Sequence, residues 1–154
     1  KNPDQRAIWQ ADVDGVTQTA VEEIVRVASP VTFMRRTATG DVTLAGEQFH
    51  EGDKFVMFYG AANRDPRVFD DPERFDVRRS PNPHVGFGGP GPHFCLGANL
   101  ARREVAVVFR ELFKRLPDLE VTGPAVPLDT AGLPLVGGIK RLPVRFTPTA
   151  RSGG

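Results

Sequence analysis

Residues 63–94 hold six prolines and no sustained hydrophobic period, and this stretch constrains the chain more than any other. Proline locks one backbone angle and lacks an N–H donor, so neither a long helix nor a central strand can run through it. It reads as one long ordered loop, and a loop of that length in a compact domain needs a function or a bound group to organise it. Gly 16 and Pro 14 together make about a fifth of the 154 residues, so irregular connections are a property of the whole chain.

Periodic segments flank the loop. Thr19-Ala20-Val21-Glu22 has the form of a capping box, predicting a helix to about Ala28 that stops before Pro30. Ahead of it the first sixteen residues are polar, with Ile8 and Trp9 as isolated anchors. Residues 31–44 alternate as strands do, with turns at Gly40-Asp41 and Ala45-Gly46. Glu51-Gly52 marks another turn, and residues 54–61 are a dense apolar run, strand-like at first. Val105, Val108, Phe109, Leu112, Phe113 and Leu116 recur at helical spacing and predict a helix over 97–116, ending before Pro117. Short strands are expected at 119–121 and 142–146, around a turn at Gly137-Gly138, and a disordered tail over 147–154.

The loop ends at the single cysteine, in Phe87-Gly88-Gly89-Pro90-Gly91-Pro92-His93-Phe94-Cys95-Leu96-Gly97. A thiol at a helix start is well placed to be a thiolate, because helix-terminal N–H groups favour the anion. With no second cysteine, a disulfide or a multi-thiolate metal site is excluded. Three roles stay open: a nucleophile, an inert thiol, or one axial ligand to a metal carried by something else, such as haem. The 20 basic and 19 acidic residues leave a net charge of +1, which argues against a nucleic-acid partner. No apolar run is long enough for a membrane span. One cysteine fits a reducing compartment, so a cytoplasmic location is expected.

The cysteine segment resembles the haem-binding loop of the cytochrome P450 family. Glu23-Ile24-Val25-Arg26 resembles its Glu-x-x-Arg helix. Asn63-Arg64-Asp65-Pro66 through Asp71-Pro72-Glu73-Arg74-Phe75 resembles its meander, and Cys95-Leu96-Gly97-Ala98-Asn99-Leu100-Ala101-Arg102 its loop-to-helix junction. The four segments occur in the family's order, and the likeness covers residues 1–146, similar to the C-terminal part of much longer members. The fold class implied is α+β, the C-terminal part of the P450 fold. Residues 22–37 and 82–103 look most like actinobacterial members that hydroxylate methyl-branched lipids or steroid side chains, which also share a glycine-rich loop one residue longer than usual.

That resemblance implies haem b as cofactor, with Cys95 as iron ligand and Phe87, Gly88 and Gly97 shaping the loop. Arg36 and His93 match positions that meet the propionates. Glu23 and Arg26 match a buried network completed by an arginine of the meander, Arg79 in preference to Arg74. Val31, Thr32, Phe33, Met34, Leu135 and Val136 fall at substrate-contact positions, though core packing would suit them equally. His84 has either a structural role or a role at the site, and His50 reads as a solvated turn residue. The implied activity is a haem-thiolate monooxygenase acting on an apolar substrate such as a branched lipid or sterol. It would use dioxygen and electrons from a ferredoxin or other donor protein. Arg102, Arg103, Arg110, Lys114 and Arg115 could offer such a donor a basic face, or simply be a solvated helix surface.

The family's oxygen-binding helix lies N-terminal to every segment matched. The chain is therefore expected to be an incomplete portion of a P450, inactive alone. Two alternatives are a catalytically inactive haem-binding or interaction remnant, and a cysteine-nucleophile enzyme using His93 or His84 as base.

Overall fold

The computed structural model describes residues 2–128 and 135–148. Helix α1 (Pro3–Ala11) and helix α2 (Val13–Ala28) open the chain, hinged at Asp12. Asp12 is the N-cap of α2, its carboxylate accepting from the Gly15 N–H at 2.9 Å, which satisfies one of the orphan donors of the first turn. The expected start at Thr19 is corrected: Thr19 lies mid-helix and donates to the Val77 carbonyl (2.6 Å) instead of capping. The polar opening segment, which carries no periodic signal in sequence, forms a helix. Pro3 suits its first turn, and Trp9 anchors it from the far end.

Trp9 is 3% exposed and sits at the centre of the core. Its ring stacks on Phe109 (4.7 Å between centroids) and meets Phe113 edge-on at 5.1 Å. Both phenylalanines project from helix α4 (Ala98–Arg115), within one residue of the expected bounds at each end. Such aromatic pairs contribute about 0.5–1.5 kcal/mol beyond the area they bury. The indole N–H is satisfied by Thr17 Oγ1 at 2.9 Å, so the ring is buried without an orphaned donor. Val16, Ala20 and Val77 complete the cluster.

Among the described residues, four small antiparallel strand pairs accompany this helical core. Strand β1 (Phe33–Thr37) pairs with β4 (Lys54–Phe58), with Phe33 opposite Phe58 and Thr37 opposite Lys54. Between them, β2 (Val42–Leu44) and β3 (Glu47–Phe49) form a hairpin. Its two-residue turn places Ala45 (φ 53°) and Gly46 (φ 88°) in the left-handed region, the turn geometry that matches strand twist. A four-residue helix, α3 (Tyr59–Ala62), follows β4 and opens the long loop. No helix or strand occurs from residue 63 to 97, as the prolines require.

After α4, β5 (Glu120–Val121) pairs with β8 (Val144–Arg145), and β6 (Val126–Pro127) with β7 (Ile139–Arg141). Of the tail, Thr147 is tied to the Asp118 carboxylate through its N–H (2.9 Å); residues 149–154 lie outside the described residues.

Candidate functional site: a cysteine loop held by two adjacent glutamates

The loop is organised from α2. Glu23 and Arg26, one turn apart, are both 0% exposed and joined by two 2.7 Å contacts. All five guanidinium N–H groups of Arg26 find acceptors: two on Glu23, and the carbonyls of Asn63 (2.8 Å), Pro72 (2.7 Å) and Arg74 (2.9 Å). Glu23 accepts in addition from the Asp76 N–H (2.9 Å), the Asn82 amide (3.0 Å) and Arg79 Nε (3.2 Å). Burial would raise its carboxyl, but these donors and the two arginine charges outweigh that and hold it below the ordinary value. Arg79 also donates to the carbonyls of Asp70, Asp71 and Arg74. Arg74 thus takes part through its backbone oxygen, whereas Arg79 brings its charge.

Asn63 is the second hub. Its side-chain N–H₂ donates to Ser29 Oγ (2.9 Å) and its carbonyl oxygen accepts from the Val85 N–H (2.8 Å). The chain leaving α2, the start of the loop and the approach to the cysteine meet at one fully buried side chain.

Around the cysteine the backbone folds on itself. The Cys95 N–H donates to the Phe87 carbonyl (2.9 Å) and the Gly88 N–H to the Val85 carbonyl (2.8 Å). Gly88 has φ +89°, a conformation that disfavours any side chain. Cys95 is a free, exposed thiol, three residues before the first residue of α4. Exposed apolar side chains flank it: Phe94 (48%), Leu96 (103%) and Leu100 (62%). A groove of about 730 Å³ is lined by Arg36 of β1, Met57 and Phe58 of β4, and the loop from Gly88 to His93, which ends two residues before the cysteine.

A second carboxylate braces the same loop. Glu22 is gripped by Arg102 of α4, Nε donating to Oε1 (2.6 Å) and Nη2 to Oε2 (2.9 Å), and His84 Nε2 lies 2.8 Å from the same Oε2. His84 Nδ1 accepts from the Gly86 N–H at 3.1 Å, so Nε2 carries the proton donated to Glu22. Burial raises the Glu22 carboxyl, but Arg102 and His84 together leave it below its ordinary value; the same pairing raises Arg102. The Arg102 guanidinium lies 4.5 Å over the Phe87 ring.

Of the substrate-contact positions, Val31 and Val136 are joined by a β-bridge, and Leu135 accepts from the Thr32 N–H. Phe33 and Met34 sit on β1, where Phe33 faces Phe58 across the strands (6.2 Å). His50 is exposed, 3.5 Å from Asp41. Three of the five basic residues read as a docking face have partners within the chain: Arg102 with Glu22, Arg110 with Asp14 and Arg115 with Glu111. Sequence reasoning missed Glu22, Asn63 and Asn82. The Glu22-Glu23 doublet was the available signal, since adjacent helical positions face different neighbours. Both ring nitrogens of His84, one of the two candidate bases for a nucleophilic Cys95, are engaged elsewhere, Nε2 with Glu22 and Nδ1 with the Gly86 N–H.

The cytochrome P450 family model matches residues 15–127. The chain is 52% identical over 145 residues to a methyl-branched lipid omega-hydroxylase of Mycobacterium tuberculosis, covering 94% of this chain and 33% of that protein. It is 43% identical to a steroid C26-monooxygenase of Mycolicibacterium smegmatis, covering 99% of this chain and 34% of the relative. The chain therefore spans about a third of the length of the curated relatives it matches. Among solved structures it superposes on a Mycobacterium marinum cytochrome P450 in complex with pseudoionone at a TM-score of 0.86 and 48% identity, covering 94% of this chain and 34% of that one. P450BioI, solved with an acyl carrier protein bearing hexadec-9Z-enoic acid, superposes at 0.87 with 36% identity, covering 94% and 37%. A cysteine loop braced from Glu23 and Glu22, a matching family model and these superpositions agree that the chain belongs to the cytochrome P450 family.

Proposed function

We propose that the chain forms the thiolate side of a haem monooxygenase that hydroxylates an apolar substrate, a branched lipid or sterol. The observation that carries this reading is the exposed Cys95 thiol at the head of α4, two residues past a groove that both Arg36 and His93 line. This donor set suits a haem: one thiol for the iron, apolar Phe94, Leu96 and Leu100 for the macrocycle, and a guanidinium and an imidazole for the propionates. When bound, the haem supplies the redox chemistry that activates dioxygen, with electrons from a ferredoxin or similar protein.

The chain's own residues bind, orient and exclude water. Cys95 would ligate the iron, its N–H already committed to the Phe87 carbonyl so that the loop is set before the cofactor arrives. Phe94, Leu96 and Leu100 would shed water on contact with the macrocycle; at about 25 cal/mol per Å² of apolar area, this is the main gain on binding. Gly88, held at φ +89°, packs its backbone against the His93 carbonyl and Phe94 Cα, and Gly97 lies beside the thiol, where a Cβ would make ordinary contact with Sγ at 3.9 Å. Val31, Phe33, Met34, Leu135 and Val136 supply an apolar edge. Relatives named for methyl-branched lipid and steroid oxidation support a substrate of that class.

The test is spectroscopic. Haem added to the purified chain, reduced and exposed to CO, is expected to give the main absorption band of thiolate ligation, and Cys95→Ser is expected to lose it. An unchanged spectrum in Cys95→Ser would overturn the assignment of the ligand.

A further inference from the structure

The Glu22–His84–Arg102 cluster stands apart from the buried Glu23 network and outside the groove lining, converges on the cysteine loop, and places the Arg102 charge within electrostatic reach of Cys95. Its three members come from three places: α2, the loop just before Phe87, and the first two turns of α4. Glu22 and Arg102 are 24% and 33% exposed, whereas the His84 side chain is 3% exposed with both ring nitrogens engaged. Their common endpoint is Phe87, with the Arg102 guanidinium at 4.5 Å and the His84 ring at 5.9 Å from its centroid. Phe87 is also the residue whose carbonyl accepts the Cys95 N–H.

We propose that Glu22 and Arg102 are positioning residues for Cys95: their ion pair, steadied by His84, clamps Phe87 and so fixes the backbone turn that presents the thiol. The inference rests on the reading of Cys95 as the iron ligand. The physical case is one of leverage. A guanidinium gripped through two N–H groups is held flat, and a flat cation over an aromatic face restrains that ring in position and tilt. A point charge such as lysine would satisfy Glu22 without covering Phe87. Gly86 closes the remaining freedom: a Cβ there would meet Val25 Cγ1 at 2.6 Å, so the loop lies directly on α2 between His84 and Phe87.

This assigns Arg102 to the inside of the molecule's mechanics, although its place on a basic helix suggests a docking role. It also separates the two glutamates: Glu23 holds the long loop together, and Glu22 aims its last turn.

The test uses the 154-residue chain, first without haem. Amide hydrogen exchange is followed at Gly88 and Cys95, whose N–H groups close the turn, and at Val21 and Val25 in α2 as the reference. In Arg102→Gln, exchange at Gly88 and Cys95 is expected to rise about tenfold while α2 is unchanged, the size of effect that loss of a charge-assisted hydrogen bond has on a local opening. Arg102→Lys is expected to fall between the two, because it restores the charge but not the flat cover. Glu22→Gln, which preserves side-chain shape, is expected to reproduce the effect if Arg102→Gln folds poorly. With haem, reduced and CO-bound, the share of thiolate-type absorption is expected to fall in the same order. Unchanged exchange at Gly88 and Cys95, or full rescue by lysine, would overturn the proposal. So would loop and helix opening together in both Gln variants, because the cluster would then be a general clamp of the fold. If the loop opens locally but the unaltered chain never shows thiolate absorption, the positioning role stands and the ligand assignment fails.

Discussion

Glu22 and Glu23 are neighbours on one helix, yet they govern regions built on opposite terms. On the Glu23 side the charges are fully buried, every guanidinium donor of Arg26 is used, and most acceptors are backbone carbonyls of the loop. On the Glu22 side the pair is partly open to water, its partners are side chains, and it braces a short turn next to an exposed thiol. The first arrangement stabilises the fold; the second, by our inference, directs one residue. A buried carboxylate becomes tolerable only when completely paired, so such a network is all or nothing. A half-exposed pair can weaken by degrees, which suits a part that must receive a cofactor.

The contrast breaks most sharply at Glu23. Glu23→Gln is expected to destabilise the chain by about 3–5 kcal/mol, because it strands the charges of Arg26 and Arg79 beneath the loop. Chemical denaturation checks this, and a midpoint like that of the unaltered chain would show that the network contributes little. Acid provides the next largest effect. Both carboxyls lie below their ordinary values when folded, so each contributes stability that is present above the unfolded value of about 4.3 and is lost as pH falls through the folded one. Thermal midpoints should therefore drop on acidification below about pH 4.5, with a shallower slope in a folded Glu22→Gln variant. Glu22→Gln itself is expected to cost about 1.4 kcal/mol at neutral pH, the equivalent of the tenfold loop opening and well below the Glu23 variant, since solvent screens part of the pair. At the bottom of the scale, Asp65→Asn should leave the melting midpoint unchanged. Arg67 holds the Asp65 carboxyl at about 2, but the guanidinium is solvated, and an Asn at 65 could still accept the Arg67 N–H.

The cysteine loop and α4 were legible because their signals are local: a glycine-proline run around one thiol, and apolar residues at helical spacing. Helix α1 was not. Only Ile8 and Trp9 among its residues are large and apolar, and what buries Trp9 is Phe109, a hundred positions away. The capping box at Thr19 failed for a related reason. The motif is real in sequence, but Asp12 begins the helix two turns earlier and Thr19 is spent on Val77. Spacing in the meander could rank Arg79 over Arg74 as the charged partner, but it could not foresee that Arg74 contributes a carbonyl to both arginines. Backbone acceptors carry no signature in residue identity. The Glu22 pair was obscured by its neighbour: a Glu-x-x-Arg reading accounts for Glu23 and leaves Glu22 as one more surface acid.

Asn63 has a kinetic implication. Its amide donates to a residue 34 positions earlier and accepts from one 22 positions later, while its carbonyl takes the Arg26 contact across 37. Closing a chain segment costs more entropy the longer it is, though only logarithmically, and here the closures share a single residue. Once Asn63 is seated, the second closure needs no separate ordering of its anchor. The segment from Asn63 to Val85 should then lack partly formed states: its hydrogen-bonded amides would exchange with solvent as one block, with a common opening free energy, despite containing no regular secondary structure. Residues that look like the loosest part of the chain would behave as one of its most cooperative units.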